Sequence, residues 1–197
     1  MPIRSERASK KVLEAVKEEF ENMHESMARY KVLLKQVLDN PAEHLPHKVY
    51  IAGIEDFAGD DWIAGTEMIG WRYLAKEDLN RPTAIELQRA PDGKSFLFAE
   101  IDKSRFVSGM SEILEDKRIE KKLSGNDYTV SALKVPSLYI FALWLHAEDK
   151  LQDIIIAVAP TPSFLKPWPR TYTASQFHAA LKNKAKNLIK PQKVINA

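Results

Sequence analysis

Leu13, Val16, Phe20, Met23, Met27, Tyr30, Leu34 and Val37 recur at alternating spacings of three and four, with neither glycine nor proline between Ser5 and Asp39. This is an unbroken heptad seam, and it commits residues 5–39 to a helix carrying one apolar stripe. Asn40-Pro41 ends it, because proline cannot continue a helix and restricts the residue before it. A helix of ~30 residues is ~45 Å long, more than the radius of a compact domain of this size. It must therefore cross a whole sheet, project from the body, or bend. Phe20, Met23, Met27 and Tyr30 are softer than the aliphatic residues of a coiled-coil seam, and the flanking Glu19, His24, Ser26 and Lys31 form no clear set of opposite charges. Packing on the protein's own sheet is the preferred reading, and a share in a dimer interface the second.

From residue 48 onward the apolar period shortens to that of strands. Lys48–Ile54, Glu67–Leu74, Thr83–Arg89, Ser95–Ile101, Tyr128–Val135, Leu138–His146 and Leu151–Ala159 read as strands. Ala90-Pro91-Asp92-Gly93-Lys94 is a tight reversal, which makes 83–101 an antiparallel hairpin. Both faces of 138–146 are apolar, so that strand is expected in the middle of the sheet, covered on both sides. Ser104–Leu123 reads as a helix closed at Gly125. Thr173-Ala174-Ser175-Gln176 is a capping box opening a helix to about Ile189. Connections of hairpin length favour antiparallel pairing over a doubly wound parallel sheet. The expected fold is one α+β domain over 1–197: a curved, mainly antiparallel sheet of six to seven strands, with the long N-terminal helix and two others packed on it. The order also contains two βββα blocks, 66–123 and 127–190, which hint at a duplication.

The chain of 197 residues has no cysteine, which removes thiol nucleophiles, iron–sulfur clusters and thiolate zinc sites. It contains no G-x-G-x-x-G, P-loop, G-x-S-x-G, H-E-x-x-H or EF-hand pattern. No cofactor or metal is expected. Met1–Arg7 leads into charged sequence without an apolar core, and no apolar stretch reaches the ~18–20 residues of a membrane span. The expectation is a cytoplasmic protein without membrane contact.

The formal charge of +2 hides a segregation: residues 39–78 hold nine acidic and three basic residues, and 154–197 hold seven basic and no acidic ones. A basic end invites a nucleic-acid reading. However, Lys182, Lys184, Lys186 and Lys190 do not share a helical stripe, and aromatics do not interleave them. Covering the acidic region of its own fold, or of a partner subunit, is the preferred use of that end.

Four constellations carry some chemistry. Glu43-His44-Leu45-Pro46-His47 gathers two imidazoles and a carboxylate, with no distant third ligand, and reads as a polar loop. Glu55, Asp56, Asp60 and Asp61 surround Gly59 beside Trp62, a loop whose carboxylates can hold a hard cation or act as an acid/base pair, with the indole as a stacking surface. His146 ends an apolar strand ahead of Glu148 and Asp149, a potential general base without an identifiable nucleophile. The aromatics Trp62, Trp71, Tyr73, Tyr139, Phe141, Trp144 and Trp168 suit strands and core better than a pocket. The leading functional expectation is a non-catalytic module that binds an unidentified protein and self-associates as a homo-oligomer, most simply a dimer. The alternative is a small-molecule binder or enzyme at Glu55–Trp62, joined by His146. Weak nucleic-acid binding through the basic C-terminal segment is the third.

Overall fold

The structure, a computed structural model, describes residues 3–76, 82–123, 126–147 and 152–189. Among them are nine strands and seven α-helices, more strands than the sequence led us to expect. The strands are β1 (Ile3–Arg4), β2 (His47–Ile51), β3 (Glu67–Lys76), β4 (Pro82–Arg89), β5 (Phe96–Asp102), β6 (Tyr128–Val135), β7 (Ile140–His146), β8 (Ile154–Ala157) and β9 (Tyr172–Thr173). The helices are α1 (Lys10–Asn22), α2 (Ala28–Asp39), α3 (Ile54–Ala58), α4 (Trp62–Gly65), α5 (Arg105–Glu115), α6 (Lys117–Lys122) and α7 (Ala174–Ile189). They build one open α+β sheet in the order β5-β4-β3-β2-β6-β7-β8-β9, with β1 also beside β6. Pairing is antiparallel except that β6 runs parallel to both β1 and β2.

The register defines two layers of helices. Trp71, Lys48, Ser131 and Trp144 lie in one row across β3, β2, β6 and β7. On their face, α1 and α2 bury Val12, Val16, Leu33, Leu34 and Val37 against Trp71, Tyr73, Ile85 and Leu87. Farther along the same face, α3, α4 and α7 bury Phe57, Trp62, Phe177 and Leu181 against Leu133, Ile140, Ala142 and Trp144. Gly70, Val49, Ala132 and Leu143 form the adjacent row on the opposite face, which α5 and α6 cover with Met110, Ile113 and Ile119. β7 is thus central and apolar on both sides, as its composition requires.

The single N-terminal helix expected over 5–39 is instead two helices, separated at Met23 and a 3-10 turn over Glu25–Met27. The heptad seam permits a straight rod, but burial favours a hairpin. Folded back, both halves lie on the β3–β5 half of the sheet, and Val12, Val16, Leu34 and Val37 are fully buried. Asn22, His24 and Ser26, all weak helix formers, occupy the break. Seven of the eight seam residues pack into this core, and only Met27 is exposed. The seam is therefore spent within the chain.

The helix expected over 104–123 also divides, at Asp116. Its carboxylate accepts from the Arg118 backbone N–H at 2.9 Å and from Trp168 Nε1 at 2.8 Å, capping α6 as a new helix. The expected cap at Gly125 lies outside the described residues. Two local expectations are met closely. Gly93 adopts φ +65° in the β4–β5 turn, where Asp92 accepts from the Lys94 and Ser95 amides. The capping box of α7 closes reciprocally, with Gln176 N–H to Thr173 Oγ1 at 3.2 Å and Thr173 N–H to Gln176 Oε1 at 3.1 Å. The two βββα blocks become two meanders running outward from β2, but their helices return to opposite faces of the sheet.

Candidate functional site

The acidic segment 55–62 folds into the short helices α3 and α4, and its carboxylates serve their ends. Asp56 Oδ2 accepts from the Gly53 amide at 2.6 Å, and Asp61 Oδ1 from the Ala64 amide at 3.2 Å. Asp60 is exposed and pairs with Lys182 of α7 at 2.8 Å, a contact that lowers its pKa. Glu55 is exposed on α3. Trp62 is 2% exposed, stacked on Phe57 at 5.1 Å and packed against Trp144 at 5.2 Å and Phe177 at 5.9 Å. From α7, His178 Nε2 lies 2.9 Å from the Gly59 carbonyl and 3.2 Å from that of Phe57. The basic helix thus does cover part of the acidic region. Lys190 and Lys193 lie outside the described residues.

His146 also packs on Trp144, its ring 4.3 Å from the indole. Its expected partners Glu148 and Asp149 lie outside the described residues. The structure supplies Asp153, which lies 3.3 Å from His146 Nδ1 and accepts from Trp144 Nε1 at 2.8 Å and the Ala147 amide at 3.1 Å. One buried carboxylate thereby ties down the end of β7, and the imidazole proton sits on Nδ1 when the pair is hydrogen-bonded. Tyr50, 6.0 Å from the imidazole, has its hydroxyl pKa raised by burial. The couple can orient the ring, and His146 Nε2 has no hydrogen-bond partner among the described residues.

A larger ionic group lies on the face covered by α5, assembled from residues that no sequence motif links. Arg72, 1% exposed, donates through Nε to Glu86 Oε2 at 3.0 Å and through Nη2 to the same oxygen at 2.5 Å. Nη2 also reaches Asp102 at 3.3 Å, and Lys134 Nζ donates to Glu86 Oε1 at 2.5 Å. The guanidinium lies 4.9 Å from the centre of the Phe141 ring, which Phe106 of α5 covers in turn. Burial pushes the Glu86 carboxyl up, but Arg72 and Lys134 outweigh it and hold its pKa below the ordinary value. Two cations against two carboxylates leave no net charge to attract a substrate, and the group works as a buried clasp joining β3, β4, β5 and β6.

His47 is the register partner of Arg72 on β2 and is fully buried, its Nδ1 2.6 Å from the Leu45 carbonyl. Burial lowers its pKa from 6.5 to about 4. The unfolded chain therefore takes up a proton between pH 6.5 and about 4 that the folded chain refuses, and stability falls as pH drops through that window. The loss amounts to ~3 kcal/mol. Urea unfolding should show wild type losing its advantage over His47→Leu by about that much between pH 7 and 4. A constant difference would refute the assignment.

The chain matches no known family model, no curated protein and no solved structure. No group of three or more metal-ligating side chains occurs among the described residues, and no described helix is long and apolar enough to cross a membrane.

Two features remain open to a partner. The first is a groove of about 580 Å³ between the arm Ser5–Ala8 with Leu13 of α1 on one side and Asp39–Glu43 with Pro46 on the other. A second hollow of about 450 Å³ shares Asp39, Asn40 and Glu43 and extends to His44 and Leu74. Glu43 and His44 of the polar loop thus face these hollows, while His47 turns into the sheet. The second feature is β5, whose outer side has no neighbouring strand among the described residues. Its Leu97 is 55% exposed.

Proposed function

We propose that the chain is a non-catalytic, cytoplasmic protein-interaction module that self-associates as a dimer through the outer edge of β5. The observation that carries this reading is the free edge of a seven-residue strand bearing an exposed leucine, at one end of a nine-stranded sheet. An open edge is a row of unpaired backbone donors and acceptors, ready to add another strand. The opposite end finishes in the two-residue β9, too short to offer the same ladder. A second copy suits this edge. One strand edge paired with its own copy about a two-fold axis needs no second kind of surface, and β5 carries a bulge at Ala99, where its register with β4 shifts. The reading also fits the ionisable side chains: Asp56 and Asp61 cap helices, and Glu86 and Arg72 neutralise each other within the fold.

Sedimentation velocity tests it. The wild-type chain should sediment as a dimer. Leu97→Lys places a charge on an already exposed position, and Ala99→Pro alters a residue with no register partner on β4. Both variants should be monomers with unchanged circular dichroism and Tm. Met27→Glu, on the exposed remnant of the heptad seam, should remain a dimer. A wild-type monomer at high concentration, or a dimer lost in Met27→Glu and kept in Leu97→Lys, overturns the proposal.

A further inference from the structure

Two polar side chains under α5 each keep one buried atom without a hydrogen-bond partner among the described residues: His47 at Nε2 and Arg72 at Nη1. The residues are 0% and 1% exposed and are register partners on β2 and β3. Their roles are opposite. His47 Nδ1 lies 2.6 Å from the Leu45 carbonyl, which can only accept, so Nδ1 carries the proton and Nε2 of the neutral ring presents a lone pair. Arg72 can only donate. Its Nε and Nη2 form one edge of the planar guanidinium, and both are engaged by Glu86 of β4. Nη1 belongs to the opposite edge, and β2, with His47, is the strand on the other side of β3 from β4.

We infer that His47 and Arg72 bind one internal water molecule, which accepts from Nη1, donates to Nε2 and extends the clasp to β2 as a fifth strand. The site uses nothing on the outer edge of β5, so it stands or falls apart from the dimer. Side chains of directly opposed residues start about 4.5–5.5 Å apart, and Arg72 is near enough to be one of the causes that lower the proton affinity of His47. The two orphaned atoms nevertheless do not bond each other. Chemistry selects the occupant. An anion could accept from Nη1 but would meet the lone pair of Nε2 and the carboxylate of Glu86. A cation could approach Nε2 but would face Arg72 and Lys134. A neutral molecule that both donates and accepts satisfies the pair. Phe141 and Phe106 close over the guanidinium, so the smallest such molecule is the one that suits this layer, and two fixed partners suffice to hold a buried water.

Solution NMR on the isotope-labelled full chain at pH 7 tests the site. The His47 ring should show a protonated Nδ1 and a bare Nε2 that accepts a hydrogen bond. Water-selected spectra should give contacts from water to the His47 ring protons flanking Nε2 and to the Arg72 Nη1 protons. Those contacts should have opposite signs in the laboratory-frame and rotating-frame experiments, as for a molecule that tumbles with the protein. His47→Phe keeps an aromatic ring of similar size and removes the acceptor, so the contact at Arg72 should be lost. If that variant does not fold, the wild-type spectra decide alone. A scalar coupling between Arg72 Nη1 and His47 Nε2 would show that the two bond directly and would overturn the site. So would the absence of water contacts in wild type, a proton on Nε2, or a water contact at Arg72 that survives in folded His47→Phe. Chloride line broadening by wild type that His47→Phe abolishes would replace the water with an anion and equally overturn the inference.

Discussion

Replacing Glu86 with alanine should lower the unfolding free energy by about 3–5 kcal/mol, the cost of stranding a buried charge. The variant would leave the Arg72 guanidinium, 1% exposed, with a single long contact to Asp102, and would free Lys134 from its only described partner. Much of that cost comes from the orphaned cation, not from the lost pair. Arg72→Met combined with Glu86→Leu should therefore be less damaging than Glu86→Ala alone. Asp102 and Lys134 keep side-chain exposures of 16% and 24% and can turn to water when the centre of the clasp is gone. Chemical denaturation of the three variants decides the matter. A Glu86→Ala protein as stable as wild type would mean that the clasp contributes nothing, and a double variant worse than the single would contradict its partition.

Trp62→Ala should cost a similar ~3–5 kcal/mol, the range for emptying a buried aromatic site. The indole fills the space between Phe57, Trp144 and Phe177, where α3, α4 and α7 meet the sheet. Asp60→Asn, a few residues away, should leave the unfolding midpoint unchanged, because Asp60 is solvent-exposed. The contrast is diagnostic. If Trp62 were a stacking surface on an open ligand loop, its truncation would spare stability and abolish binding. Thermal unfolding of both variants separates the two outcomes.

These two sites also mark where sequence reading succeeds and where it stops. Alternation placed β6 and β7 closely, and Asp92-Gly93 and the Thr173–Gln176 box gave a turn and a cap that the backbone reproduces. Each of those signals is local. The clasp is not: Arg72 and Glu86 are 14 residues apart, and Lys134 is 48 residues beyond Glu86, so they meet only once the strand register is known. Trp62 reads in the sequence both as a core aromatic and as a stacking surface on the acidic loop, and periodicity cannot choose between them, because α3 and α4 are five and four residues long and too short to show a helical period. Their acidic residues looked like a convergent cluster, whereas two of them cap separate helix ends. The heptad seam gave the right buried face and the wrong length. Periodicity records which residues seek cover and says nothing about whether that cover is reached by a straight helix or a folded one. β1 and β9, two residues each, carry no pattern at all.

Hydrogen exchange across a concentration series, followed by mass spectrometry, tests the central claim most directly. If two β5 edges join, amides within Phe96–Asp102 gain protection as the protein is concentrated, while those of α1 and α2 keep their rates. Leu97→Lys should remove the gain and nothing else. Exchange in β5 that ignores concentration, or protection that rises instead along α1 and α2, would contradict the edge-paired dimer.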